Sequence, residues 1–272
     1  MQPADRNDHP HADRFSRMPA PACFHRKTVD GSSAGGGGGR AGDLCVSQLY
    51  LSLIAFLLLH SVPALPPVRA GIIATIGRKT YLALYSTIST LLLAWVFHAA
   101  LNTPYVELWE PAGSHAMVTL VFAPLGMFLV LAGLFSPNPT SITFRHDGRP
   151  GAIVAITRHP VLWGFLFWSG GHLIANGDLR SLILFGGLGL FSAAGFLMLD
   201  KRAKRRMNDC WPIFRDAHPL LPLAVIATRK NHLRIDAPMA LAFALTAGLT
   251  LWLLFGGHAL LFGADPLIMV TM

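Results

Sequence analysis

The chain has 272 residues, 53% of them hydrophobic and only 13% charged. Soluble domains carry about a quarter charged residues, so this composition excludes an ordinary water-soluble fold and points to a polytopic membrane protein. The net charge of +8 does not mark a nucleic-acid binder, because the basic residues lie between apolar runs rather than in one basic domain. The three cysteines, Cys23, Cys45 and Cys210, are far apart and lack a CxxC spacing. They support neither a disulfide framework nor a zinc site.

Residues 1–43 mix Pro, His, Asp and Arg before the run GSSAGGGGGR, a composition that buries no core and reads as a disordered arm. Its charges are not arranged as in a signal peptide. An equally open expectation is that the true start lies near Val46. From residue 44 the chain becomes apolar, and a membrane span needs about 20 such residues. The runs are Leu44 to Leu65, Tyr81 to Leu101, His115 to Phe135 with Pro124 as a kink, Val161 to Ala175, Leu179 to Leu199, and Pro238 to Phe262. The fourth is short unless packed inside a bundle. Residues 44–262 therefore read as an all-α, polytopic integral membrane bundle of about six transmembrane helices. Residues 263–272 form a short tail, and Leu220 to Thr228 reads as an interfacial piece.

The loops after the first, third and fifth runs carry Arg69, Arg78 and Lys79, then Arg145, Arg149 and Arg158, then Lys201, Arg202, Lys204, Arg205 and Arg206. The intervening loops lack such an excess, so the odd-numbered loops are cytoplasmic and both termini face out. The six Lys or Arg of the arm oppose this orientation, and a later start would remove the conflict.

The chemistry concentrates in TRHPVLWGFLFWSGGHLIANGD, residues 157–178. Polar groups bracket an apolar run there, and such groups in a membrane helix face protein, water or a ligand. His60, His98, His172 and His258 lie in or at the edge of apolar runs. A lone histidine in such a place is more often an interfacial or helix-bonded side chain than a ligand, and His98 and His258 get no more than that reading. His60 precedes a proline-rich exit, and His172 has Gly170 and Gly171 beside it and Asn176 and Asp178 after it. Neutral imidazole is a common metal and haem-iron ligand, so intramembrane histidines on separate helices form a haem constellation. Thr157 and His159 read as helix-start caps before Pro160. Arg158 at the boundary is placed to meet an anionic group such as a haem propionate, a phosphate or a lipid head, or else to snorkel. His159 and His172 are 13 residues apart, roughly 20 Å on one helix, and so cannot clasp one metal together.

Three strings, LLLHSVPALPPVRAGII, ITRHPVLWGFLFWSGGHLIANGDLRSLILFG and DKRAKRRMNDCWPIFRDAHPLLPLAVI, resemble the NnrU family of bacterial membrane proteins. That family includes relatives resembling 15-cis-zeta-carotene isomerase, a haem b membrane enzyme acting on a carotenoid. The resemblance implies a bacterial inner-membrane helical bundle with haem b held through His60 and His172 as metal ligands, and His159 and Arg158 nearby. A His60 and His159 pairing is the rival ligand set. The resemblance further implies a role in nitrogen-oxide metabolism and denitrification, or isomerisation of a hydrophobic polyene, with the lipid bilayer, a polyene or nitric oxide as partners. The RHP step before an apolar helix also resembles membrane methyltransferases of the isoprenylcysteine type, which use S-adenosylmethionine. A non-enzymatic membrane factor is the third class.

Overall fold

A computed structural model describes residues 37–145, 148–222, 224 and 234–271. Every regular element among them is helical, and their one β-type contact is an isolated bridge between Glu107 and Asp178. In chain order they are α1 (Gly37–Ser61), α2 (Pro66–Ile76), α3 (Arg78–Asn102), α4 (Gly113–Phe135), α5 (Ala152–Ile156) and α6 (Pro160–Asn176). There follow α7 (Leu179–Met207), α8 (Cys210–Ala217), α9 (Ala237–Phe262) and α10 (Pro266–Val270). A π-helical turn interrupts α7 at Leu182–Gly186 and another interrupts α9 at Leu253–Gly257.

Five helices are long and apolar enough to cross a membrane: α3, α4, α7, α9 and residues Gly42–Ser61 of α1. α6 is the sixth long apolar helix of the bundle, and its 17 residues reach about 25 Å, the lower limit for a span. It succeeds at that length because it is packed inside the bundle, with Val161, Leu162, Gly164, Ser169 and Gly171 all buried. Large apolar side chains such as Leu91, Val121, Leu190, Leu197 and Phe243 remain exposed around the outside. Lipid is as apolar as leucine, so burial of those side chains is not required.

What holds α6 is its antiparallel partner α4. A Cβ on Gly126 would meet the Gly164 carbonyl at 2.5 Å, and one on Gly164 would meet the Gly126 carbonyl at 2.5 Å. Further along the same seam Gly133 faces Pro160 and Val161, and Gly171 faces Thr119. The Thr119 hydroxyl donates to the Gly171 carbonyl at 2.7 Å. Backbone contact of this kind gives dispersion and interhelical hydrogen bonds where no hydrophobic force acts between helices.

Two apolar clusters flank this pair. Leu49, Leu53, Val96, Ala99, Leu184, Phe185 and Leu188 join α1, α3 and α7. Leu129, Ile153, Val154, Ala203, Trp211, Phe214, Met239 and Ala242 join α4, α5, α7, α8 and α9 around the other end.

Several boundaries differ from the sequence reading. The basic segment after the fifth run is the last two turns of α7, so Asp200 is helical rather than in a loop. The loop after α1 contains α2, which buries no residue. Gly37 to Asp43 already belongs to α1. The short tail folds into α10, capped by Asp265 and packed against α4. Most of the Leu220 to Thr228 piece and residues 1–36 of the arm lie outside the described residues.

The α4–α6 seam yields a clear test. Gly126→Ala and Gly164→Ala are each expected to destabilise the bundle by about 1–3 kcal/mol through overpacking. Gly170→Ala, where an added Cβ meets nothing within 4 Å, is expected to be neutral. Unfolding of the detergent-purified variants by denaturant titration reads the difference.

Candidate functional site

Two polar centres lie at opposite ends of α6. The first gathers around Asp200. The Arg158 guanidinium donates from Nε to Asp200 Oδ1 at 2.9 Å and from Nη2 to Asp200 Oδ2 at 2.6 Å. His159 Nε2 meets Oδ1 of the same carboxylate at 2.7 Å. Carboxylate oxygens accept, so Nε2 carries the proton and Nδ1 is left buried without a partner among the described residues. Burial pushes His159 below its ordinary value of 6.5, and the hydrogen bond and charge of Asp200 oppose that. Arg158 also lies over the Trp211 ring, 5.8 Å from its centroid.

The same centre straps three loops together. Arg158 N–H donates to the Pro219 carbonyl, and the Thr157 hydroxyl and Trp163 indole both donate to the Leu220 carbonyl at 2.7 and 2.8 Å. Asn138, buried between two prolines, donates to the Arg158 carbonyl and accepts from Thr140 and Ser141. Asp236 caps α9 and accepts the Ala152 N–H at 2.8 Å. Thr157 and His159 therefore do not cap α6 with their side chains. Their polar atoms are drawn instead to Leu220 and Asp200, which sequence spacing could not place.

The second centre is a cavity of about 420 Å³ towards the other end of the bundle, lined by α3, α4, α6, α7, α9 and the α10 region. Its wall is mostly apolar, with Phe97, Leu120, Met127, Trp168, Leu184 and Phe185, and His172, His258, Asn176 and Arg180 also line it. His172 Nδ1 meets the Trp168 carbonyl at 2.8 Å, and a carbonyl only accepts, so the ring proton is on Nδ1. Nε2 is left as a lone pair with no hydrogen bond from a described residue. Phe185, delivered by the π-helical turn of α7, stacks on the ring at 5.0 Å and 27°.

The ANGD sequence that follows His172 is largely a turn. Gly177 ends α6 in the left-handed region at φ 64°, and Asp178 caps α7 by accepting from Ser181 N–H and hydroxyl. Buried Asp178 thus serves the fold, while Asn176 and Arg180 on either side of it line the cavity.

His60 sits elsewhere. Its Nδ1 donates to the Phe56 carbonyl at 2.8 Å and its Nε2 accepts from the Ser89 hydroxyl at 3.1 Å, among Phe56, Tyr85 and Phe191. Its contact on α7 is Phe191 and that of His172 is Phe185, six residues and about 9 Å of helix rise apart. The structure thus brings Arg158 and His159 together, but His60 does not line the His172 cavity. No group of three or more His, Cys, Asp or Glu suited to a metal ion occurs among the described residues. Asp200, Asn138 and Arg180 are residues that the sequence reading did not assign to a site. A signal was present for Asp200, the acidic residue at the head of a five-cation run.

The NnrU protein family matches residues 48–266, most of the chain. The chain belongs to the NnrU family. It is thereby a multi-pass protein of the bacterial inner membrane, with a match that takes in both polar centres and ends in α10. No curated protein and no solved structure matches it.

Two outcomes are expected at the Asp200 centre. Asp200→Ala leaves Arg158, only 8% exposed at its side chain, as an uncompensated charge, and is expected to cost about 3 kcal/mol in detergent unfolding. Because the folded pKa of His159 lies below 6.5, its contribution to stability is complete above pH 6.5 and declines as pH falls through that value towards the folded pKa. Stability is therefore expected to drop between about pH 7 and pH 5, with a shallower drop in His159→Asn.

Proposed function

We propose that this NnrU-family protein holds haem b at the His172 cavity, and that it serves nitrogen-oxide metabolism or the isomerisation of a hydrophobic polyene. The observation that carries the reading is the Nε2 lone pair of His172 in an apolar cavity of about 420 Å³. Anchoring Nδ1–H on a backbone carbonyl fixes the tautomer of a metal-binding histidine and raises its basicity. The aromatic wall suits a flat, apolar macrocycle, so the residues present fit the group.

The work of the chain is positioning. Trp168 and Phe185 hold the imidazole, the apolar wall excludes water, and Arg180 and Asn176 offer polar contacts to an anionic edge. Arg180, which pairs with Asp178 at 3.4 Å, lines the cavity, whereas Arg158 is held by Asp200 at the other end of α6. Family resemblance names His60 as the second ligand. Its Nδ1 is anchored in the same manner, but its Nε2 accepts from the Ser89 hydroxyl and it does not line the cavity. When bound, haem would supply an iron able to take nitric oxide or change oxidation state. The methyl-transfer alternative needs Arg158 and His159 free for the carboxylate of S-adenosylmethionine, and both are held by Asp200.

Absorption spectra of detergent-purified protein expressed with ample haem, oxidised and reduced, test the proposal. A Soret band in wild type, lost in His172→Ala and retained in His159→Ala, is the expected outcome. Wild type without haem would overturn the reading.

A further inference from the structure

His258, on α9, lines the same cavity as His172 on α6. Its Nδ1 lies 2.7 Å from the Ala264 carbonyl, so its proton is also on Nδ1 and its Nε2 is also a lone pair. Neither Nε2 receives a hydrogen bond from a described residue. Both imidazoles line the one cavity. A mostly apolar chamber therefore holds two electron-pair donors that cannot satisfy one another, and protonating either places an ion in a low-dielectric site. A single electron-pair acceptor held between them would satisfy both.

A π-helical turn stands beside each ring. The π-helical turn Leu182–Gly186 brings Phe185 onto His172, and the π-helical turn Leu253–Gly257 ends immediately before His258. Within the latter, Phe255 and Gly256 leave helical geometry, with Gly256 at φ 115°. Such turns interrupt the helix ladder and recur at functional sites. Beyond this one His258, Leu261 and Phe262 line the cavity.

We infer that His172 and His258 form a two-imidazole clasp for one transition-metal centre, with His258 rather than His60 as the second donor. The inference rests on reading the cavity as a metal-holding site and goes further by naming the pair. The centre is either the iron of a planar macrocycle or a bare divalent ion. Both have the same chemistry at the clasp, two open positions that accept imidazole nitrogen.

The test has two arms on the full-length, detergent-purified protein: haem absorption after expression with ample haem, and titration of haem-free protein with Co(II) followed by its visible bands. The variants are His60→Ala, His172→Ala, His258→Ala and His258→Cys. A haem centre is expected to lose its six-coordinate spectrum in His172→Ala and His258→Ala, to keep it in His60→Ala, and to show thiolate ligation in His258→Cys. If wild type takes no haem, Co(II) affinity is expected to fall at least about 100-fold in the two alanine variants. A new thiolate-to-cobalt band in His258→Cys then reports that position 258 reaches the metal even where His258→Ala unfolds. Haem lost in His60→Ala but unchanged in His258→Ala overturns the clasp and leaves the haem reading standing. Cobalt bound through positions 172 and 258 without haem does the reverse. Wild type that takes neither metal overturns both.

Discussion

The bundle depends on the approach of two backbones, α4 and α6, along glycines 126 and 164. α6 is too short to be a secure membrane helix by itself, and its polar ends would be costly in lipid. Contact with α4 at backbone distance provides the dispersion that leucine-on-leucine contact could not add in a lipid solvent. It also fixes the height of α6, and with it the positions of both polar centres. Arg158 and His159 precede its first residue and His172 lies three turns further on. The two centres are therefore set by one helix and share its fate.

They differ in what they leave undone. Around Asp200 nearly every donor has an acceptor, and the loops before α6, after α8 and before α9 are stitched through it. The Arg158–Asp200–His159 pairing ties together the segments of chain at this end of the bundle, with His159 Nδ1 left without a partner among the described residues. The cavity at the other end is the converse, with a mostly apolar wall and imidazole lone pairs without partners. The Asp200 end is held by ion pairs and hydrogen bonds, and the other end keeps an open, mostly apolar chamber.

Much of the architecture was legible in the sequence, because apolar run length is a strong signal. The six runs, the short fourth run packed inside the bundle and the gathering of polar groups in residues 157–178 all follow from composition and spacing. Pairing was not legible. His159 reads as a cap from its place before a proline, yet its ring is claimed by an aspartate 41 residues away. Asp178 reads as part of a site, yet it caps the next helix. His258 reads as a lone interfacial histidine, yet the break at Gly256 just before it leaves it on the cavity wall. Long-range partners of this kind depend on which helix faces move together, and no local pattern encodes that.

Leu101, Leu261 and Phe262 line the cavity and are also exposed on the periphery of the bundle, at 45%, 51% and 37%. The wall they form is shared with the acyl chains, not with water. A ligand that arrives through it is drawn from molecules already dissolved in the bilayer, where partitioning concentrates an apolar compound by orders of magnitude at about 0.8 kcal/mol per methylene. For an apolar ligand, occupancy of this chamber would then follow its mole fraction in the membrane rather than its concentration in water.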